Sequence, residues 1–316
     1  MPRAGGKTLA RNLLPWMIAV VALTWVFRSV EWHRLADAFT HLPMGRFVLT
    51  SVVLLIANCA ADCLAMYFTF TWFGCRIPYR ELFIVRSATY LLAVVQYYVG
   101  QAAIIGFLHQ RKGVPGWRAA GFILFISGIN MGVLILLASV GLATGDLPIA
   151  WLRWVPIAVG SGAIGYGILL RLRPQRLAKS RFFAPLFEMG ISGHLKAVAI
   201  RIPHVLVLVL WHYLSLWMFH VEVPALAALV YLPAVFFAGA LPISIQGLGL
   251  AQASAVYFFS RYAGGNSAPV LAYSLAMTAV SLITQVSLGL LFLTAGRRLG
   301  VREESAMVVA EGTNEF

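Results

Sequence analysis

Long apolar runs separated by short basic loops constrain this chain more than any other feature. Six runs are long enough for a membrane-spanning helix, which needs about 20 predominantly apolar residues. They lie at about residues 12–28, 46–72, 118–143, 150–170, 197–220 and 268–296. Charged residues make up 11% of the chain, far below the roughly 25% of soluble domains. The sequence therefore predicts an all-α polytopic integral membrane protein and excludes a soluble globular one.

Two further apolar stretches do not fit as simple crossings. Residues 82–110 are too long for one crossing and too short for two. Residues 224–262 are interrupted at their centre by Pro242, Gly247 and Gly249, which break helices. We predict that each stretch forms a re-entrant broken hairpin, and two short spans are the alternative.

The distribution of basic residues predicts how the chain is oriented. If both hairpins enter and leave on the same side, 19 of the 24 Lys and Arg residues share one face of the membrane. If both stretches are single crossings, 10 lie inside and 14 outside. The positive-inside rule favours the first arrangement, with both termini in the cytoplasm.

This topology divides the chain into two similar units of opposite orientation. We expect one transmembrane domain over residues 1–302, with repeat one at about 46–143 and repeat two at about 197–296, and a short acidic cytoplasmic tail at 303–316. Each repeat would consist of a span, a hairpin and a span. Broken segments at matching positions of two halves are typical of inverted-repeat transporters.

Polar residues and glycines cluster at both helix breaks. Broken helix ends present unpaired N–H groups and a positive dipole end, which suits a phosphate or a carboxylate. The alternative is that the glycines only provide close packing between helices. The candidate substrate-binding residues are Gln96, Tyr97, Gly100 and Gln101 at the first break, and Pro242, Ser244, Gln246, Gly247, Gly249 and Gln252 at the second.

The second break also carries a family resemblance. Its sequence, Leu241-Pro-Ile-Ser-Ile-Gln-Gly-Leu-Gly-Leu-Ala-Gln252, resembles the Pro-x-Ser-x-Gly-Gly-x-Gly-x-x-Glu signature of the lysylphosphatidylglycerol synthase transmembrane (flippase-like) family. Residues 86–118 resemble the first re-entrant region of that family and the basic loop after it. The resemblance covers about residues 10–300. It implies two inverted repeats with re-entrant hairpins that pass a lipid head group between leaflets.

Departures from the family at both breaks bear on the substrate. At the first break, the sequence Gln96-Tyr97-Tyr98-Val99-Gly100 lacks the usual Pro-Gly, and residues 101–105 lack the arginine that commonly follows. Gln252 stands where the family often has Glu, which argues against a strongly cationic lipid. Only about 20 residues follow the last predicted span, so we expect no aminoacyl-transferase domain and no lipid aminoacylation.

Asp62 is the only carboxylate near the middle of a predicted span. Holding a charge there costs about 2.5–3.5 kcal/mol on insertion scales, so the residue needs a partner or a role. It is a candidate proton carrier, or a counter-ion to Arg86 or Arg201. The alternative is a structural carboxyl group that bonds to Asn58. Arg86 is a candidate ligand of a lipid phosphate, with extension to the cytoplasmic interface as the alternative.

The function that these features favour is a lipid translocator of the bacterial inner membrane. Its substrate would be a phosphate-bearing membrane lipid, and no nucleic acid, cofactor or metal is expected, because the histidines are scattered and nucleotide-binding and catalytic motifs are missing. We therefore expect no enzyme. The alternative is a membrane-embedded subunit or transferase that acts on a lipid-linked substrate with a separately encoded synthase or glycosyltransferase.

Overall fold

The computed structural model describes residues 32–95, 97–144, 154–240 and 249–299, and no strand occurs among them. The helices are α1 (Trp32–Thr40), α2 (Met44–Trp72), α3 (Tyr79–Val95), α4 (Tyr97–Lys112), α5 (Gly116–Thr144), α6 (Val155–Leu172), α7 (Gln175–Ala178), α8 (Ala184–Met218), α9 (Ala225–Ala240), α10 (Leu250–Phe259) and α11 (Ser267–Arg298). A short 3₁₀ turn, Ser260–Ala263, connects the last two. The predicted all-α class is confirmed.

Five of these helices, α2, α5, α6, α8 and α11, are long and apolar enough to cross a membrane. They correspond to five of the six predicted spans. The sixth, at 12–28, lies outside the described residues, as does the tail at 303–316. Large apolar side chains such as Leu49, Ile283 and Leu291 are mostly exposed on these helices. Such an apolar exterior fits lipid, so the chain is a multi-pass membrane protein.

The two broken stretches form pairs of short helices. At the first, α3 has 17 residues and α4 has 16, and the two helices flank residue 96. At about 1.5 Å per residue each arm is about 25 Å long, shorter than the roughly 30 Å hydrocarbon core. The arms lie close together, since a Cβ on Gly100 would be 2.8 Å from the Cβ of Ala93. At the second stretch, α9 has 16 residues and α10 has 10.

Two sets of four helices pack with the same pattern of neighbours. Set one is α2–α5 and set two is α8–α11, and each runs as long helix, two short helices, long helix. The first long helices, α2 and α8, pack against each other. The first short helix of each set packs against the last long helix of the other: α3 against α11, and α9 against α5. Likewise, α5 packs against α8 and α11 against α2. Every one of these contacts between sets therefore has a counterpart.

The connection between the sets contains α6, α7 and a bend in α8. Gly190 has φ 56° and ψ −177° within α8. A positive φ of this kind favours glycine because it lacks a Cβ. The long part of α8, which covers most of the predicted span at 197–220, therefore begins after a change in helix direction.

Candidate functional site

A buried ionic cluster joins the two sets. Arg86 on α3 donates from Nε to Asp62 Oδ2 on α2 at 2.7 Å, and Arg201 on α8 donates from Nη1 to Asp62 Oδ1 at 2.5 Å. Arg201 Nε also donates to Asn130 Oδ1 on α5 at 3.0 Å. Asp62, Arg86 and Arg201 are 3%, 8% and 6% exposed. We name Asp62, Arg86 and Arg201 the ionic cluster.

The ionic cluster lies deep within its helices. Asp62 precedes the end of α2 at Trp72 by about 15 Å, and Arg86 follows the start of α3 at Tyr79 by about 10 Å, at 1.5 Å per residue. These two helix ends are adjacent in the chain, so the two side chains meet at a similar depth. Charged groups at such a depth are costly unless they pair with one another.

Burial and pairing bear on the roles predicted for Asp62 and Arg86. Asp62 pairs with both arginines, so it has the geometry of a counter-ion to each. Its role as a proton carrier stays a prediction. Extension of Arg86 to the membrane surface does not fit its burial within the bundle. The structural alternative for Asp62 assigned its bond to Asn58, whereas its observed partners are the arginines.

The charges of the ionic cluster do not balance. Two guanidinium groups share a single carboxylate, and Asp62 is the sole acidic partner of both in the part of the chain that the structure describes. The cluster therefore carries a formal charge of about +1, because arginine stays protonated in proteins. A surplus charge in an apolar interior is unfavourable unless another group compensates it.

Further polar groups surround the ionic cluster. The Tyr90 ring centroid lies 5.3 Å from Arg86 Cζ, a cation–π distance. His204, one turn beyond Arg201, is 8% exposed, and its Nδ1 has no hydrogen-bond partner among the described residues. Asn58 Oδ1, one turn before Asp62, likewise has no hydrogen-bond partner among the described residues. Buried polar atoms without partners are rare, so the surroundings of the cluster have hydrogen-bonding capacity to spare.

Next to the cluster is a small recess between α2, α5 and α8. Its volume of about 10 Å³ suffices for roughly one water molecule. The recess is lined by Ala65, Thr69, Phe125, Ile126, Ile129, Ala197 and Arg201. The recess itself is therefore too small for a lipid head group.

The side chain of Gln252, which is predicted to bind substrate, makes two hydrogen bonds at the second break. The Gly249 backbone N–H donates to Gln252 Oε1 at 2.7 Å, and Gln252 Nε2 donates to Thr278 Oγ1 on α11 at 3.2 Å. The Gln252 side chain thereby caps the start of α10 and connects it to α11. An amide fits this position because its oxygen accepts one of these hydrogen bonds and its nitrogen donates the other. Substrate binding by Gln252 and Gly249 stays a prediction.

Four other predicted residues at this break, Pro242, Ser244, Gln246 and Gly247, lie outside the described residues.

The first break presents both exposed and packed positions. Tyr97 is 44% exposed at the start of α4, and Gln101 is partly buried one turn later. Gly100 is buried against Ala93, which fits the alternative of a packing glycine. Gln96 lies outside the described residues. Among the predicted site residues, Asp62 and Arg86 thus form an ion pair between two helices, and Gly249 and Gln252 form a hydrogen bond within the second break.

Three residues of this region are not among the predicted site residues: Tyr90, Asn130 and His204. A lone asparagine in the middle of a span was the available signal for Asn130, because such residues usually bond across helices. Tyr90 follows Arg86 by four residues, a spacing that places both on one helix face. His204 follows Arg201 at helical spacing. No group of three or more potential metal ligands occurs within the described ranges.

Fold and site together define a multi-pass helical membrane protein with an ionic cluster between two helix sets. The chain matches the family model described as the lysylphosphatidylglycerol synthase TM region over residues 12–289. Because this match covers most of the sequence, the chain belongs to that family, and its function concerns membrane lipids. No curated protein and no solved structure matches the chain.

Proposed function

We propose that the chain is a lipid translocator, and not an enzyme, that moves lipid head groups between the leaflets of the bacterial inner membrane. The observation that carries this proposal is the equivalent packing of the two helix sets, with a charged cluster at their junction. A junction between equivalent halves is where transporters place their substrate sites.

The two helix pairs act as re-entrant hairpins in this proposal, and the sets act as inverted repeats. Three features support this assignment: the arms are shorter than a full crossing, the helix order is the same in each set, and each contact between the sets has a counterpart. The connections between α3 and α4 and between α9 and α10 fall at matching positions in the helix order of the two sets.

The lipid head group passes between the sets while its acyl chains stay in the bilayer. Rocking of one set against the other exposes the ionic cluster to each leaflet in turn. Both termini lie in the cytoplasm, where the positive-inside rule places most of the basic residues.

A leaflet-exchange assay tests the proposal. The purified chain is reconstituted in liposomes with fluorescent anionic, zwitterionic and cationic phospholipids, each in a separate preparation. Exchange above that of protein-free liposomes is expected, and Arg201→Gln should abolish it because this arginine contacts both sets. The matched control is Arg118→Gln, which removes an arginine whose partner, Glu188, is exposed like itself. This variant should exchange lipid at the native rate.

Failure of every lipid to exchange would refute the proposal of an autonomous translocator. Co-purification of such an inactive chain with a lipid synthase or glycosyltransferase would instead favour the subunit alternative.

A further inference from the structure

We propose that Arg86 and Arg201 together form a binding site for the phosphodiester of a phospholipid with a net negative charge, and that Asp62 is a built-in anion that shares the two arginines with it. This inference rests on the proposed lipid translocation and adds the class of head group that the site selects.

Hydrogen-bonding capacity is the first argument. The two guanidinium groups have ten N–H donors between them, and three of these donate to described residues. The other N–H groups of both side chains are the donors that the head group would engage in this proposal. Arginine binds phosphate through two parallel N–H bonds, and a phosphodiester presents two such oxygens.

Charge is the second argument. The ionic cluster has one carboxylate for two guanidinium groups, all at least nine-tenths buried. A monoanionic phosphodiester would bring the total to two cations and two anions. Phosphatidylglycerol has such a head group. A zwitterionic head group brings an ammonium group along with its phosphate, and a cationic one adds positive charge, so both neutralise the site less well.

The placement of the arginines is the third argument. Arg86 belongs to set one and Arg201 to set two, so a phosphate that bonds to both connects the two sets directly. In the described structure Asp62 makes this connection, with one oxygen to each arginine. Nδ1 of His204 and Oδ1 of Asn58, which have no hydrogen-bond partner among the described residues, lie one helical turn from the cluster and offer further polar contacts to a head group.

Lipid binding to the full chain in detergent micelles tests the site without any need for leaflets. The probes are dioctanoyl phosphatidylglycerol, dioctanoyl phosphatidylcholine and inorganic phosphate, and the readout is the rise in unfolding temperature with probe concentration. Phosphatidylglycerol should stabilise the native chain at concentrations where the other two have little effect. Equal stabilisation by phosphatidylcholine would overturn the charge selectivity. Equal stabilisation by inorganic phosphate would assign the site to a free ion and overturn the lipid assignment.

Variants connect the binding to the cluster. Asp62→Asn removes the competing anion, so the half-saturating concentration of phosphatidylglycerol should fall by about tenfold or more, as expected for one unit charge within several ångströms. Arg201→Gln should abolish the stabilisation. Arg201→Lys keeps the positive charge but loses the forked arrangement of N–H donors, and should retain part of the stabilisation. The matched control Glu188→Gln removes a carboxylate from an exposed ion pair and should bind like the native chain.

Two results would overturn the proposed site: native phosphatidylglycerol affinity in a folded Arg201→Gln or Arg201→Lys variant, or unchanged affinity in Asp62→Asn. Because these measurements are made in micelles, they remain distinct from the exchange assay. A chain that binds through the arginines but exchanges no lipid would refute translocation alone.

Discussion

Removing the negative charge of the ionic cluster should destabilise the protein more than removing one of its two positive charges. Asp62→Asn leaves two buried guanidinium groups without a counter-ion, whereas Arg201→Gln leaves a neutral pair of Asp62 and Arg86. Breaking a buried ion pair by removing one partner costs about 3–5 kcal/mol. Asp62→Asn should reach the upper part of that range because two partners are stranded. Arg201→Gln loses its bonds to Asp62 and Asn130 but improves the charge balance, and should cost about 1–3 kcal/mol.

Thermal unfolding in a neutral detergent without anionic lipid measures this difference. For a chain of this size about 1 kcal/mol corresponds to a shift of roughly 2–4 °C. Asp62→Asn should therefore lower the unfolding temperature by about 10 °C or more, and Arg201→Gln by about half as much. The control Glu188→Gln, in an exposed pair, should change stability by at most about 1 kcal/mol.

Two results would refute this reasoning about the ionic cluster. The first is that Arg201→Gln destabilises the chain as much as Asp62→Asn or more. The second is that Asp62→Asn is as harmless as Glu188→Gln, which would mean that the carboxylate contributes nothing to the native fold.

Three further variants test the packing around the short helices. Gly289→Val should destabilise the contact of α11 with α3 by about 1–3 kcal/mol, because its Cβ would lie 2.5 Å from Leu91 Cγ. Thermal unfolding should show this loss, whereas Gly132→Ala, with open space around it, should leave the unfolding temperature unchanged. Gly100→Val should separate the arms α3 and α4 and increase proteolysis at the first break, and cleavage at the native rate would contradict the close packing there. Gln252→Ala should lower stability by about 1–2 kcal/mol because the cap of α10 is lost, and Gln252→Glu, which keeps the acceptor, should lose less in the same thermal assay.

The long helices and the interrupted stretches could be predicted from the sequence because their signals are local. Span length follows from the apolar run, as at 46–72, where the helix is Met44–Trp72. The importance of Asp62 could be predicted for a similar reason. It is the only carboxylate near the middle of a predicted span, and a charge in an apolar run must be paired or functional.

Arg86 and Arg201 could be proposed from the sequence as counter-ions of Asp62, but no local pattern shows that both pair with it at once. Arg201 lies 139 residues away in the chain and Asn130 lies 71 residues from Arg201, so their contacts exist only once α2, α5 and α8 pack together. Gln252 illustrates a second limit. A polar residue beside a glycine-rich break is compatible with ligand binding and with helix capping, and only its bonds to Gly249 and Thr278 identify the cap.

The most direct test of the central claim, lipid translocation by movement between the two sets, is lipid exchange by a chain whose sets are covalently linked. A Cβ on Gly289 of α11 lies 2.5 Å from Leu91 Cγ of α3, which puts the two Cβ atoms within about 4 Å, the separation that a disulfide needs. The variant Leu91→Cys/Gly289→Cys is made with Cys75→Ser, and the native Cys59 and Cys63 are buried. We predict that oxidation stops leaflet exchange in liposomes and that reduction restores it. Exchange by the oxidised, fully cross-linked chain at the rate of the reduced chain would contradict the account.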